Sequence, residues 1–299
     1  MRIGRHMPTH SKMVKTAEIA QQIGCEAIQI FASNPTGWRT PTIAQEDCAA
    51  FATAAQRCGL EPVVLHAPYL INLGTLDTTI WEKSAHLLSW TLSKGKLLGA
   101  RYVVFHTGSH RGAGVEAGLD AIVRGVVRVL EDTPAEVSLL LENDVGAGNA
   151  LGNKFEHLAT VLDALPEHSA RLGICLDTAH LWGAGYDIAS PAGSTQVLQQ
   201  FDDIVGLARL KVIHLNDTKR ELGSHRDSHS RLGEGIIKAE GLHTLLSDPR
   251  LDHVAILLET PIKTDESGKE DWEHDAQQIA QAKSLAGRPD LSDSSTIDP

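Results

Sequence analysis

The chain has 299 residues, of which 42% are hydrophobic but only 4% aromatic, so it can bury one large and mainly aliphatic core. Its formal net charge of −11 argues against non-specific nucleic-acid binding through a basic face, unless divalent cations neutralise part of that charge. No run approaches the length of a membrane span, the start lacks the apolar region of a signal peptide, and the four cysteines contain no CxxC pair, so we expect a reduced, cytoplasmic protein without a membrane partner.

Short apolar runs alternate along the chain with longer amphipathic segments. The runs lie at residues 2–4, 26–32, 62–67, 101–106, 136–143, 171–178, 210–217 and 253–260. Most of them are apolar throughout, which indicates parallel strands that are covered on both faces. Segments 78–100, 118–132 and 194–208, which lie between such runs, have the apolar spacing of helices.

This order of elements predicts a single (β/α)8 barrel, the TIM-barrel fold. Eight strand-and-helix units would occupy residues 1–285, and the polar tail at 286–299 is expected to be disordered. A doubly wound open sheet is the alternative, but no glycine-rich phosphate fingerprint follows the first strand. In a barrel, the catalytic groups lie at the carboxyl ends of the strands and in the loops that follow.

Six consecutive predicted strands end in a side chain that can bind a metal. These are His66, His106, Glu142, Asp177, His214 and Glu259, and the nearby loops add His180, Asp227 and His229. A single histidine at a strand end is more often structural, and a strand-end carboxylate often caps the next helix. Six adjacent strand ends of a barrel meet at one mouth, however, where unpaired carboxylates would repel each other. We therefore predict a metal site at the carboxyl rim of the barrel.

The ligand types and their number indicate which metals would bind. Imidazole and carboxylate without thiolate favour Zn²⁺, Mn²⁺ or Fe²⁺ over Ca²⁺ or Mg²⁺. A catalytic zinc takes about three protein ligands, so nine candidates predict two or three ions, a cluster suited to phosphate ester hydrolysis. His110, His225 and His253, near the rim, are expected to be structural or to contact a ligand. The other candidates are expected to be structural: His86, His157, His168, His243 and His274 away from the rim, and Cys175 in the core.

Four segments make the chain resemble the endonuclease IV family of apurinic/apyrimidinic (AP) endonucleases, also called AP endonuclease family 2. They are "HAPYLINLG" (66–74), "LENDVGAG" (141–148), "GICLDTAHLWGAGYD" (173–187) and "HLNDTKRELGSHRDSH" (214–229) with the "LGEG" that follows. The resemblance implies a barrel that carries three Zn²⁺ ions per chain, with Mn²⁺ or Fe²⁺ in part. It also implies a monomeric DNA-repair enzyme whose partner is double-stranded DNA with abasic sites or blocked 3′ ends. Such an enzyme cleaves the backbone 5′ to the abasic site, leaves a 3′-hydroxyl, and removes 3′ blocking groups.

The resemblance also assigns roles to individual residues, and all nine predicted ligands are among them. His66, His106 and Glu142 would hold the first zinc. Glu142 would bridge to the second zinc, which Asp177, His214 and Glu259 complete. His180, Asp227 and His229 would hold the third. Glu142 and Glu259 are accordingly the carboxylates expected to act in catalysis.

Three further positions are implied in DNA binding. Tyr69 and Leu70 correspond to side chains that enter the duplex at the lesion, although without the resemblance ordinary rim packing would be the preferred explanation. Thr36 stands where the family commonly has arginine. Other departures are Thr107 for proline, Asp144 within "ENDVG" where "ENTAG" is more typical, and Ala179 for cysteine. None of them removes a predicted ligand, so they bear on substrate affinity, lesion range and rate.

A sugar isomerase or epimerase with a xylose-isomerase-like barrel is the competing hypothesis. Such enzymes use one or two metals held by Glu, Asp, His and Glu at successive strand ends. Glu142, Asp177, His214 and Glu259 fit that description. The five additional candidate ligands are what favours the nuclease, because an isomerase needs only one four-residue site.

Overall fold

The strands form a closed parallel barrel, as the sequence predicts. A computed structural model describes residues 1–9, 12–264 and 270–288. Each strand pairs with the next along the chain, and the last pairs with the first. The strands are β1 (Arg2–His6), β2 (Ala27–Phe31), β3 (Val63–His66), β4 (Tyr102–His106), β5 (Ser138–Glu142), β6 (Leu172–Asp177), β7 (Leu210–His214) and β8 (Ala255–Leu258).

One strand boundary was predicted wrongly. The first strand was expected to end at residue 4, whereas β1 continues to His6. Arg5 and His6 are polar, but they pair in register with Ile28 and Gln29 of β2, so backbone pairing carries the strand beyond its apolar run. As a result, a histidine also ends the first strand, at the same rim as the predicted ligands.

Helices surround the barrel. In the described residues they are α1 (Met13–Gln22), α2 (Gln45–Arg57), α3 (Thr78–Leu97), α4 (Val115–Glu131), α5 (Phe155–Asp163), α6 (Thr178–Ala184), α7 (Pro191–Ile204), α8 (Ala239–Leu246) and α9 (Trp272–Leu285). The sequence shows why they form. Asp77 caps α3 by accepting hydrogen bonds from the amides of Thr79 and Ile80. In α4, the buried residues Leu119, Ile122 and others recur at the helical period and face the strands.

Mainly aliphatic side chains fill the inside of the barrel. The cluster there comprises Ala27, Val64, Tyr102, Val104, Leu140, Cys175, Val212, Ala255 and Leu257, all buried. Cys175 is thus a core residue, as predicted. A second and larger cluster packs between the strands and the surrounding helices. Because the barrel interior is packed, its carboxyl end forms the floor of an open mouth.

Among the described residues, no helix is both long and apolar enough to cross a membrane. The last helix in the described part of the chain, α9, ends at Leu285, and Ala286 is still packed against the core. Residues 289–299 of the tail that was predicted to be disordered lie outside the described residues.

Candidate metal centre

The predicted strand-end residues meet at one mouth. His66, His106, Glu142, Asp177 and His214 are the last residues of β3 to β7, and Glu259 directly follows β8. His106 pairs in register with Glu142, and Asp177 with His214. The strands are parallel, so these side chains emerge at the same end of the barrel. His180 is in the first turn of α6, and Asp227 and His229 lie in the loop after β7.

Glu142 lies at the centre of this group and is fully buried. Its Oε2 is 3.2 Å from His66 Nε2 and 3.6 Å from His106 Nε2. Its Oε1 is 3.1 Å from His214 Nδ1 and 3.5 Å from His180 Nδ1. The two oxygens of one carboxylate therefore face two different pairs of imidazoles.

A second group lies towards solvent, around Asp227. Asp227 Oδ1 is 3.4 Å from His180 Nε2 and 3.2 Å from His229 Nε2. His229 Nε2 is also 3.6 Å from Asp177 Oδ2. Although this nitrogen is buried and close to two carboxylates, it makes no hydrogen bond to any described residue. A buried nitrogen that faces carboxylates in this way is suited to binding a cation between them.

The donor atoms fall into sets of the size that a metal ion requires. Within each set, one donor atom from every residue lies within 4.8 Å of the others; the sets are His66, Glu142 and His214; Asp177, His180 and His229; and Glu142, Asp177, His214 and Glu259. Two ligands of a tetrahedral zinc are about 3.4 Å apart, which the N···O separations between 3.1 and 3.6 Å match. The residues present therefore fit divalent cations, and Asp177 is within reach of two sets.

The electrostatics of the mouth also favour bound cations. Burial lowers the pKa of His180, but Asp177, Asp227 and Glu142 outweigh it, so this pKa is well above the usual value. In the same way, Asp177 and Asp227 raise the pKa of His229 to about 9 against the effect of burial. The carboxylates thus attract positive charge to the imidazole nitrogens, and a divalent cation can take the place of those protons.

Two asparagines that the sequence analysis missed orient Asp177. Asn143 Oδ1 accepts a hydrogen bond from Asp177 N at 2.6 Å. Asn216 donates from Nδ2 to Asp177 Oδ2 at 2.6 Å and accepts from Glu259 N at 3.0 Å. His180 Nδ1 lies 2.9 Å from the carbonyl oxygen of Asn143. Each asparagine follows a predicted ligand by one or two residues, in "LEN" and "HLND", and that spacing was the available signal.

His6 and Gln29 were missed as well. His6 Nδ1 is 3.3 Å from Glu259 Oε1, and Gln29 Nε2 is 2.6 Å from the same oxygen. The signal for Gln29 was a single polar residue inside the apolar run "AIQIF". His6 escaped notice because the first strand was predicted too short.

One of the remaining histidines was placed wrongly by the sequence. His253 was expected near the rim, but it precedes β8, and its Nε2 is 3.0 Å from the carbonyl oxygen of Leu210, the first residue of β7. It therefore lies at the amino-terminal end of the barrel. His110 accepts hydrogen bonds from the amides of Gly112 and Gly114, and His225 Nδ1 lies 3.0 Å from Val145 O. Contacts of this kind support loops.

A cavity of about 750 Å³ opens above the acidic centre. His106, His180, His229, Asp227 and Glu259 line it, and so do Tyr69 and Leu70. Tyr69 is 54% exposed, and its ring meets those of His66 and His106 edge-on, with centroids 5.5 and 5.9 Å apart. An exposed aromatic ring thus borders the candidate metal centre.

Thr36 lies on the neighbouring loop after β2. It is exposed, and its amide and hydroxyl both bond to Asn34 Oδ1 at 3.0 Å. The adjacent Pro35 accepts a hydrogen bond from the amide of Tyr69 at 2.9 Å, which ties the two loops together. Thr36 therefore lies near Tyr69 at the rim of the barrel.

The three other departures from the resembled family have distinct environments. Thr107 donates from Oγ1 to the carbonyl oxygen of Leu151 at 2.6 Å and so links two rim loops. Asp144 lines the cavity and accepts a hydrogen bond from Gly146 N at 2.7 Å. Ala179 is buried in α6. Of these, Asp144 changes the charge that faces the cavity.

The chain matches a known protein family and known proteins over most of its length. Residues 17–282 match the family described as Xylose isomerase-like TIM barrel. The chain is 39% identical over 285 residues to Probable endonuclease 4 of Chloroflexus aurantiacus, covering 95% of this chain and 98% of the relative. It is 41% identical over 261 residues to Probable endonuclease 4 of Natranaerobius thermophilus, covering 87% and 92%. These relatives span most of the chain at an identity that shows common family membership.

The solved structures that superimpose on this chain include both an endonuclease IV and a sugar epimerase, the two enzyme classes weighed from the sequence. The crystal structure of endonuclease IV from Thermus thermophilus superimposes with a TM-score of 0.82 at 35% identity, covering 96% of this chain and 99% of that one. A D-psicose 3-epimerase superimposes with a TM-score of 0.71 at 14% identity, covering 96% and 100%. At that identity, the epimerase shares the fold alone.

Proposed function

Because the chain belongs to the endonuclease IV family of AP endonucleases, we propose that it hydrolyses the DNA backbone 5′ to abasic sites with three bound divalent cations, mainly zinc. Water would replace the O3′ of the preceding nucleotide on phosphorus, leaving a 3′-hydroxyl. The same hydrolysis at a strand end would remove 3′ blocking groups. The observation that carries the proposal is the convergence of nine histidine and carboxylate side chains, with Glu142 at their centre, at the floor of an open cavity.

The contacts support a division of the nine side chains into three sites. His66 and His106 face one oxygen of Glu142 and would hold the first cation with it. His214 faces the other oxygen, so Glu142 would be shared with a second site that Asp177 and Glu259 complete. The third site would comprise His180, Asp227 and His229. When bound, such cations activate water and stabilise the charge that develops on the oxygens of a phosphodiester.

The protein itself supplies orientation and shape. The buried carboxylates Glu142 and Asp177 are held by imidazoles and by asparagine amides, so little reorganisation is needed during reaction. The cavity of about 750 Å³ is open at the top, so a backbone phosphate of an extended chain can reach the centre. Tyr69 and Leu70 border that cavity and are proposed to fill the gap that a missing base leaves in the stack.

Local contacts must hold the duplex, because the net charge of −11 repels it overall. Arg39, Arg111 and Arg226 are exposed on the loops after β2, β4 and β7, on the same side as the cavity. We propose that these loops contact the phosphates around the lesion. Affinity should then fall as the salt concentration rises.

The proposal is tested with the purified full chain and a duplex oligonucleotide that carries one abasic-site analogue. We expect cleavage at one position, a product with a 3′-hydroxyl that a polymerase extends, and about three metal ions per chain. Intact duplex after incubation with the metal-loaded protein would refute the proposed reaction. Near one metal per chain, together with epimerisation of a ketohexose, would instead support the alternative site of Glu142, Asp177, His214 and Glu259.

A further inference from the structure

We propose that Gln29 is a positioning residue of the metal centre, whose side-chain amide holds both His214 and Glu259 in the orientation that each needs to bind metal. This inference rests on the proposed roles of His214 and Glu259 as ligands. Gln29 does not need to touch a metal to have this effect. It lies in the middle of β2 and is completely buried, among residues that are mostly aliphatic.

Both polar atoms of this amide have partners at the mouth. Gln29 Nε2 is 2.6 Å from Glu259 Oε1 and 2.9 Å from His6 Nδ1. Gln29 Oε1 is 2.9 Å from His214 Nε2. The three partners come from the end of β1, the end of β7 and the segment after β8, so one side chain connects three parts of the rim.

The chemistry of these partners determines which way the amide faces. A carboxylate oxygen only accepts hydrogen bonds, so the amide nitrogen must face Glu259. The second hydrogen of that nitrogen then points to His6 Nδ1, which accepts it. The amide oxygen is left facing His214 Nε2, and because an oxygen of this kind only accepts, His214 must carry a proton on Nε2.

This orientation selects the metal-binding atom of His214. With its proton held on Nε2, the imidazole presents Nδ1 as the coordinating nitrogen. Nδ1 is the nitrogen that faces Glu142 Oε1 at 3.1 Å and Glu259 Oε2 at 3.3 Å. His214 Nδ1 and these two carboxylate oxygens are three acceptor atoms that repel each other unless a cation lies between them. Because Gln29 keeps the proton of His214 on Nε2, it favours an arrangement that is stable when a cation is bound.

Gln29 selects the metal-binding oxygen of Glu259 in the same manner. The side-chain N–H of Gln29 donates a hydrogen bond to Glu259 Oε1. The other oxygen, Oε2, is therefore free to face His214 Nδ1. A methionine at position 29 has nearly the same volume but offers no donor and only a weakly accepting sulfur. A residue that hydrogen-bonds to a metal ligand without touching the metal also contributes to metal affinity. Loss of such a residue typically weakens metal binding by about 10- to 100-fold.

Gln29→Met is therefore expected to weaken zinc binding by about 10- to 100-fold, measured by competition with a chromophoric chelator. The visible absorption spectrum of the Co²⁺-loaded protein should also change, since it reports the geometry around the metal. Gln29→Asn keeps the amide but is one methylene too short to reach all partners, and it should show the same direction of change. It carries the test if the methionine variant does not fold.

Gln278→Met is the matched control. Gln278 is also buried, and it bonds to the backbone of Leu232 and to Gln281 rather than to a proposed ligand. We expect it to lower the thermal midpoint of the metal-free protein while zinc affinity and the Co²⁺ spectrum stay as in the wild type. A general loss of stability is thereby separated from a loss of ligand orientation.

Zinc affinities of both Gln29 variants within about threefold of the wild type, with an unchanged Co²⁺ spectrum, would overturn the inference. The test is independent of catalysis. A wild-type protein that binds zinc but leaves abasic DNA intact would refute the proposed function, whereas the Gln29 measurement would still decide the positioning role.

Discussion

Replacing Glu142 by glutamine tests the centre of the proposed site most directly. The substitution keeps the shape of the side chain but removes the negative charge of the carboxylate. The two oxygens of this carboxylate lie between 3.1 and 3.6 Å from nitrogens of four imidazoles. Glu142 is the residue shared between two proposed cation sites, so support for both is weakened at once. Loss of such support costs about 3–5 kcal/mol of transition-state stabilisation. The corresponding fall in kcat/KM is about 10²- to 10⁴-fold.

The assay is single-turnover and steady-state cleavage of an end-labelled duplex with one abasic-site analogue, at saturating zinc. Glu131→Gln at the exposed end of α4 is the control, because it removes a glutamate charge far from the mouth and should leave kcat/KM unchanged. Glu142→Asp keeps the charge but withdraws it by one methylene, so it separates charge from reach. A folded Glu142→Gln protein that cleaves within about twofold of the wild-type rate would refute the shared role of this carboxylate.

Three other predictions concern the metal centre, the rim loop at Thr36 and the buried pair of Arg5 and Asp275. Prolonged chelation should abolish cleavage and lower the thermal midpoint, since the carboxylates of the mouth then repel each other, and added Zn²⁺ should restore both; an unchanged midpoint after verified metal removal would contradict this. Thr36→Arg should tighten binding to abasic duplex by about 1 kcal/mol, or roughly fivefold in Kd, and should alter KM more than kcat. Equal Kd values for the two proteins at one salt concentration would show that another residue, such as Arg39, already supplies the contact. Asp275→Ala should destabilise the fold by about 3–5 kcal/mol in denaturant unfolding because it leaves Arg5 buried without its partner, whereas the double variant Arg5→Met with Asp275→Leu should recover most of that loss.

The sequence determined the barrel and most of the candidate site. Parallel strands buried on both faces appear as continuous apolar runs, and every predicted run contains a strand of the barrel or part of one. Their carboxyl ends share one rim, so the side chains that end them had to converge. His66, Glu142 and His214 are examples. That they lie close together could be predicted from their positions at strand ends alone.

Only the tertiary structure decided how those side chains are held. Gln29 sits inside an apolar run, and its importance depends on barrel closure, which brings β1, β7 and the segment after β8 to one amide. His253 was placed at the wrong end of the barrel. Whether a histidine precedes or follows a strand decides at which end it lies, and His253 precedes β8. Asp177 likewise reaches two donor sets, which spacing along the chain cannot reveal. Strand periodicity assigns a residue to an end of the barrel, but hydrogen-bond partners between strands distant in sequence are set by closure and register.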